Sequence, residues 1–138
     1  VERACELAKE KGAKRALPLP VSAPFHSSLL KPASDQLREY LANVPFAAPA
    51  IPLINNVDVA IVTDPALIKD ALVRQAASPV RWVESVNAIA ASGVTHLVEC
   101  GPGKVLAGLT KRINGDLVGE AFYDQETLEK VLAAVSAR

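Results

Sequence analysis

The stretch that decides the fold is "VTHLVECGPGKVLAGLTKRI", residues 94–113. Its first half is a mostly apolar run of strand length, which is typical of a central, buried strand in a parallel sheet. "GPGK" then turns the chain, and apolar residues at helical spacing follow from Val105 to Ile113. Because strands alternate with helices in α/β proteins, this stretch predicts an α/β fold with a mostly parallel sheet.

The sequence on both sides continues this alternation. Apolar residues recur at helical spacing in five further segments, which run from Val1 to Ala13, Ser27 to Val44, Asp64 to Ala77, Val80 to Ser92 and Asp124 to Ala137. Thr63 or Asp64 is the predicted cap of the third segment, because Pro65 suits the first helical position. Two more short strands are predicted, near Ile51–Asn55 and over Leu117–Phe122.

Core residues are predicted from the same spacing. In the second helix the predicted core positions are Leu29, Leu30, Ala33, Leu37, Tyr40 and Leu41. Trp82 is predicted to anchor the core and His96 to be a structural histidine of its strand. Between the first two helices, Pro18, Pro20 and Pro24 favour an extended, irregular segment and exclude a helix.

Composition restricts the classes of function. The chain has 138 residues, enough for one domain, and its 15 basic and 15 acidic residues balance, so no overall charge favours nucleic acid or a membrane surface. No apolar run approaches the ~20 residues of a membrane-spanning helix. Cys5 and Cys100 lie far apart, which predicts two reduced thiols in a cytoplasmic protein. The sequence contains no methionine and starts at Val1, so we expect a piece of a longer protein.

His26 is the candidate catalytic base. It lies in "PVSAPFHSSLLKP", residues 20–32, where an extended segment becomes a helix. A neutral imidazole can take a proton from a hydroxyl group and return it to a leaving group, provided that a partner orients its other nitrogen. The residues alone leave a purely structural histidine as an open alternative.

Four blocks of sequence resemble one family. They are "KGAKRALPLPVSAPFHSSLLKPASDQL", "IPLINNVDV", "ALVRQAASPVRW" and "GVTHLVECGPGKVLAGLTKRI", and together they span residues 11–113. In order and spacing they closely resemble the bacterial malonyl-coenzyme A:acyl carrier protein transacylases, whose relatives are the acyltransferase domains of fatty acid and polyketide synthases. The match is to the C-terminal portion of the family.

The resemblance implies a fold and a reaction. Residues 1–16 would end a small ferredoxin-like lobe, and residues 17–138 would form the C-terminal part of a large, hydrolase-like α/β lobe. The implied enzyme is an acyl-carrier-protein S-malonyltransferase of fatty acid biosynthesis, located in the cytoplasm. A serine takes the malonyl group from malonyl-CoA as an ester and passes it to the phosphopantetheine thiol of acyl carrier protein. No metal or redox cofactor is expected.

The resemblance also assigns roles to residues. His26 inherits the acid/base role, and Gln75 matches the glutamine whose backbone carbonyl receives the histidine N–H, in place of the carboxylate of a Ser-His-Asp triad. Phe25 and Asn56 are the predicted substrate-binding residues. In the relatives an aromatic residue at the position of Phe25 accompanies malonyl, with core packing as the alternative. Asn55 and Asn56 would support the histidine loop, or be ordinary turn asparagines.

The family's nucleophile is expected upstream of these residues. The family carries its serine in a Gly-x-Ser-x-Gly elbow, and none of the seven glycines here brackets a serine in that way. The arginine that binds the malonyl carboxylate and the glutamine loop of the oxyanion hole also precede the matched region. We therefore expect the 138 residues to be inactive alone, because His26 would have nothing to activate.

Other interpretations stay open. The chain could be a non-catalytic module that binds acyl carrier protein, an acyltransferase of polyketide synthesis, or a fragment whose unpaired sheet edge promotes self-association. "GPGK" weakly resembles a phosphate-binding loop but lacks Walker spacing. Eight basic residues could steer an acidic carrier protein or simply be solvated: Lys14, Arg15, Lys31, Arg74, Arg81, Lys104, Lys111 and Arg112.

Overall fold

The computed structural model describes residues 1–136. The helices are α1 (Glu2–Glu10), a 3-10 turn (Ser28–Leu30), α2 (Lys31–Ala42), α3 (Pro65–Ala76), α4 (Trp82–Ala91), α5 (Val105–Ile113) and α6 (Gln125–Ser136). The strands are β1 (His96–Cys100) and β2 (Val118–Phe122). The α/β class is confirmed, and the predicted end of the last helix at Ala137 lies outside the described residues.

The two strands form a parallel pair. β1 runs beside β2 in a register that aligns His96 with Val118 and Cys100 with Phe122. Helix α5 connects them and packs on both, while α6 packs on β2. Gly119 of β2 allows α5 to approach closely, because a Cβ atom there would lie 2.5 Å from the carbonyl oxygen of Ala107. Residues 94–113 thus provide the first strand and the helix of a strand–helix–strand unit, which β2 completes.

Helix ends follow the predicted capping chemistry. The Asp64 carboxylate accepts hydrogen bonds from the backbone N–H groups of Ala66 and Leu67, at 2.7 and 3.1 Å, so Asp64 is the cap of α3. The Asp124 carboxylate likewise accepts from Thr127 N at 2.8 Å at the start of α6. Gly12 and Gly93 follow α1 and α4 with φ of +92° and +88°, a conformation that glycine adopts without strain.

The predicted strand over Ile51–Asn55 is wrong. The segment forms only an isolated antiparallel bridge between Ile54 and Ile61. The physical reason is the Asn55 side chain, whose oxygen accepts from Val57 N and Asp58 N and so turns the chain. Within residues 1–136, β1 pairs with β2 alone, so the predicted central position of β1 is not reproduced here.

The buried core is small, and part of its prediction is wrong. Within residues 1–136 the buried hydrophobic residues are Leu41, Ala71, Val73, Val86, Leu117 and Val131. Three residues predicted as core are exposed: Leu29 (73%), Ala33 and Tyr40 (71%). Leu29 lies in the 3-10 turn before α2, and α2 packs on α3 through the face that carries Ser34 and Leu41. On that face Ser34 is buried and donates a hydrogen bond to Val73 O at 2.6 Å.

Two further observations concern the described part of the chain. Trp82 is half-buried, and its indole N–H is enclosed without a hydrogen-bond partner among residues 1–136. No helix within that range combines the length and the apolar character needed to cross a bilayer.

Candidate active site

His26 docks on the C-terminal end of α3. Its Nδ1 lies 3.1 Å from the carbonyl oxygen of Gln75 and 3.2 Å from that of Ser78. Since carbonyl oxygens only accept hydrogen bonds, this geometry requires the proton on Nδ1, which makes Nε2 the basic nitrogen. The side chain is exposed, and no hydrogen bond to Nε2 occurs within residues 1–136. The contact with the Gln75 carbonyl is the one that the resemblance implies.

The backbone holds His26 in an unusual conformation. Its φ of +58° lies in the left-handed region, which residues other than glycine rarely adopt. The backbone N–H of His26 donates to Ala76 O at 3.3 Å, and the Ser27 hydroxyl donates to Pro24 O at 2.7 Å, which closes the turn. A strained residue persists only where its surroundings fix it, and strained residues gather at functional sites.

The acceptors come from the last turn of a helix. The final carbonyls of α3 have no partners further along the helix, so they can accept hydrogen bonds from outside. They also form the negative end of the helix dipole, which favours a cation. The carbonyls at this helix end therefore hold the Nδ1–H group and fix the orientation of the ring.

Three of the four predicted site residues share neighbouring cavities. Gln75 and Asn56 line an apolar cavity of about 420 Å³ together with Phe46 and Leu72. Gln75 and Leu72 also line an adjoining cavity of about 320 Å³, whose wall includes His26. The side-chain oxygen of Asn56 is enclosed and has no partner within residues 1–136.

Phe25 lies beside the site. It precedes His26 in the chain but lines neither of these two cavities. Its side chain is 58% exposed within the described part of the chain. Core packing and a role in shaping an acyl pocket therefore both stay predictions.

Sequence reasoning missed several residues around His26. Ser78 supplies the second carbonyl, although nothing but its position before Pro79 marks it in the sequence. The Arg74 guanidinium binds both oxygens of Asp58, each at 2.7 Å, and it also binds Asp70 at 2.6 Å. These hydrogen bonds lower the pKa of Asp58 and of Asp70 and raise the pKa of Arg74.

The ion pairs narrow the set of basic residues available to a partner. Lys31, Arg74 and Arg81 pair with carboxylates of the chain itself. The hydrogen bonds between Arg81 and Glu84 raise the pKa of Arg81 and lower the pKa of the Glu84 carboxyl group.

The "GPGK" turn is a capped strand-to-helix turn. The Glu99 carboxylate of β1 accepts from Ala107 N at 2.9 Å and so occupies the start of α5. A carboxylate at this position disfavours a phosphate by charge repulsion.

Within residues 1–136, no group of three or more His, Cys, Asp or Glu side chains could hold a metal ion. Cys5 and Cys100 are free thiols.

No protein-family model matches the chain, but individual known proteins do. The malonyl CoA-acyl carrier protein transacylase of Salmonella typhimurium strain LT2 is 56% identical over 132 residues, which is 96% of this chain and 43% of that protein. The chain is homologous to part of the malonyl CoA-acyl carrier protein transacylases.

Solved transacylase structures share the fold. The acyl-carrier-protein S-malonyltransferase of Burkholderia pseudomallei 1710b is 73% identical, with a TM-score of 0.88 over 96% of this chain and 43% of its own. A malonyl-transacylase in complex with a type II PKS acyl-carrier protein is 49% identical, with a TM-score of 0.89 and the same coverage. The chain thus spans about 43% of the length of the transacylases that it matches.

Proposed function

We propose that the chain is the C-terminal part of a longer malonyl-CoA:acyl carrier protein transacylase, called the complete enzyme below. The complete enzyme transfers a malonyl group from coenzyme A to the phosphopantetheine thiol of acyl carrier protein in the fatty acid biosynthesis of the cytoplasm. The observation that carries the proposal is the docking of His26 Nδ1 on the Gln75 carbonyl, within a chain 56% identical to a transacylase.

In this proposal His26 is the general base and acid. Its Nε2 takes the proton of a serine hydroxyl as the serine attacks the malonyl thioester, and it returns that proton to the departing thiolate. The carbonyls of Gln75 and Ser78 keep the proton on Nδ1 and orient the ring. The orienting group is therefore backbone, in place of the carboxylate of a Ser-His-Asp triad.

The serine belongs to another part of the complete enzyme. The 138 residues contain no Gly-x-Ser-x-Gly sequence, so we expect the nucleophile, the anion-binding arginine and the oxyanion donors upstream. Exposed apolar side chains around the site, among them Leu53 and Leu72, support an upstream segment that covers them. In this arrangement residues 1–16 end the small lobe and residues 17–138 belong to the large one.

Phe25 and Asn56 would bind the substrate. Phe25 would narrow the space beside the α-carbon of the malonyl group, and Asn56 would direct its unpartnered oxygen to the groups that complete the cavity. The transfer exchanges a thioester for an ester and then for a thioester, with no change of oxidation state. The proposal therefore includes no metal or redox cofactor.

A carrier protein of polyketide synthesis is the second candidate acceptor. It is favoured by the solved malonyl-transacylase that is bound to a type II PKS acyl-carrier protein, because that enzyme is 49% identical to this chain. Of the eight basic residues predicted to steer a carrier protein, five form no ion pair within the described chain and are the candidates for contact with an acidic carrier protein of either pathway: Lys14, Arg15, Lys104, Lys111 and Arg112.

The test is a transfer assay on two forms of the protein. Malonyl-CoA and acyl carrier protein are mixed with the complete enzyme or with the 138-residue chain, and malonyl-carrier protein is followed by mass spectrometry. We expect transfer by the complete enzyme alone. Turnover by the isolated chain would overturn the assignment of the nucleophile, and carrier binding with no turnover in either form would favour the non-catalytic module. Relative rates with the two classes of carrier protein decide the pathway.

A further inference from the structure

The carbonyls that hold His26 lie on a short segment with two anchored ends. Residues 75–78 provide all three acceptors, since Gln75 O and Ser78 O bind Nδ1 and Ala76 O binds the backbone N–H of His26. This segment leaves the end of α3 and has no regular structure of its own after Ala76. Its position therefore depends on the contacts that hold Arg74, which precedes the segment, and Arg81, which follows it.

One turn fixes both ends. The turn spans residues 55–60 and is built on Asn55, whose side chain is buried and bonds to Asp58 N at 2.7 Å. At one end of the carbonyl segment, the Asp58 carboxylate receives two hydrogen bonds from Arg74. At the other end, Asn56 O accepts from Arg81 N at 3.0 Å, and Asp58 O accepts from the Arg81 guanidinium at 3.4 Å.

The turn is itself held in a costly conformation. Val59 has a φ of +59°, which is a genuine outlier for a β-branched residue. The hydrogen bonds of Val59 N to Asn55 O at 3.0 Å and of Asn55 N to Ala60 O at 3.3 Å close the turn around it. Such strain is retained where the surrounding contacts over-determine the backbone, and here it places Asp58 opposite Arg74.

The Asp58–Arg74 contact has the geometry of a specific pair. Two parallel N–H···O bonds of 2.7 Å fix the relative orientation of the guanidinium and the carboxylate. A third bond, from Arg74 Nε to Asp70 at 2.6 Å, ties the same guanidinium to α3. Both side chains are about 40% exposed, so we expect a small effect on overall stability and a larger one on local position.

We propose that Asp58 and Arg74 are positioning residues, which clamp the carbonyl segment 75–78 against the turn 55–60 and so hold His26 in its Nδ1–H tautomer with Nε2 aimed at the nucleophile. This inference rests on the proposed function, because it assigns Nε2 the acid/base role. Among residues 1–136 neither side chain forms a hydrogen bond with His26, so both act through the backbone carbonyls.

The kinetic test uses the complete enzyme and its variants Asp58→Asn, Arg74→Ala and the double variant. We expect each single change to lower kcat about 10-fold, because a displacement below 1 Å of a catalytic group already slows the reaction. The KM for malonyl-CoA should change by less than about twofold, since neither residue lines the two cavities beside His26. The double variant should be no slower than the slower single variant, because both changes release the same clamp.

Two further comparisons separate positioning from general structural damage. In a His26→Ala background, Asp58→Asn should cause no additional loss, because the residue acts through His26. The matched control is Glu126→Gln, which removes an exposed ion pair of 2.6 Å to Lys130 on α6, and it should leave kcat unchanged. A further loss in the His26→Ala background would overturn the inference, as would wild-type kcat in both single variants.

A spectroscopic readout keeps the inference testable apart from catalysis. The ¹⁵N shifts of the His26 ring report the tautomer, and Asp58→Asn should lower the share of Nδ1–H relative to the unmodified enzyme. An unchanged tautomer would refute the clamp. If the unmodified enzyme transfers no malonyl group, or His26→Ala has no effect, the proposed function fails, and the tautomer measurement still decides whether Asp58 positions His26.

Discussion

Gly119 gives the sharpest stability prediction, because it lies where β2 and α5 approach most closely. A Cβ atom at this position would lie 2.5 Å from Ala107 O, 2.8 Å from Thr110 Cβ and 3.1 Å from Thr110 Oγ1. Ordinary contacts of a Cβ atom begin near 3.4 Å. Thr110 is completely buried, and the Ala107 oxygen is backbone, so neither group can rotate away. Gly119→Ala must therefore push α5 away from the sheet.

The size of the effect follows from overpacking. One methyl group forced into a packed interior costs about 1–3 kcal/mol, and a backbone obstacle places this case in the upper half of that range. The better strand propensity of alanine returns about 0.5–1 kcal/mol. We expect Gly119→Ala to lower the free energy of unfolding by about 1–2.5 kcal/mol.

Gly108 provides the matched control, because it lies in α5 and a Cβ atom there would meet nothing within 4 Å. Gly108→Ala should raise the free energy of unfolding by up to about 1 kcal/mol, from helix propensity alone. The assay is urea-induced unfolding of the complete enzyme and both variants, followed by circular dichroism. Equal effects of the two changes, or a neutral Gly119→Ala, would refute the packing described for α5 and β2.

Two further predictions concern specificity and acid. Phe25→Ser in the complete enzyme should raise kcat/KM for methylmalonyl-CoA relative to malonyl-CoA, because a smaller side chain leaves room beside the α-carbon; an unchanged ratio in a competition assay would argue against it. Acid should weaken the folded state. Hydrogen bonds from Arg74 hold the pKa of Asp58 and of Asp70 below the ordinary 3.8. The two ionised carboxylates therefore stabilise the folded state above pH 3.8, and this stabilisation is lost as the pH falls through the lowered pKa. Unfolding midpoints between pH 5 and pH 2 should therefore fall less steeply in Asp58→Asn than in the unmodified enzyme, and parallel curves would contradict this.

Local signals explain the parts of the fold that the sequence predicted. The bounds of α5 are confirmed at both ends, Val105 and Ile113. Asp64 followed by Pro65 predicted the start of α3 correctly, because capping chemistry acts within a few residues. The parallel pairing of β1 and β2 follows from the helix between them, since parallel strands need a crossover connection.

Local sequence signals predict the structure wrongly where a tertiary contact, or a turn held by a side chain, determines the conformation. The apolar run near Ile51 reads as a strand, yet the hydrogen bonds of Asn55 turn the chain and leave a single bridge. Helical spacing identifies an apolar face on α2 but not what covers it, so Tyr40 is exposed while Ser34 of α2 is buried against α3. A polar residue at the packed face gives no signal in a hydrophobic pattern.

The candidate site also depends on tertiary contacts that local sequence signals do not predict. His26 and Gln75 are 49 residues apart, and only the resemblance to the transacylases predicted their contact. Asp58 and Arg74 are 16 residues apart and look like ordinary surface charges in the sequence. Their pairing depends on the left-handed turn at Val59, which no residue preference predicts because valine is poorly suited to it.

The acid/base role of His26 in malonyl transfer is tested most directly by one comparison of rates. Malonyl transfer by the complete enzyme is measured beside His26→Ala and beside His96→Ala, which removes the chain's only other histidine. We predict a loss of about 10²–10⁴-fold for His26→Ala, the usual contribution of a positioned acid/base group, and a rate within about twofold of the unmodified enzyme for His96→Ala. A His26→Ala enzyme that transfers malonyl at the unmodified rate would contradict the account.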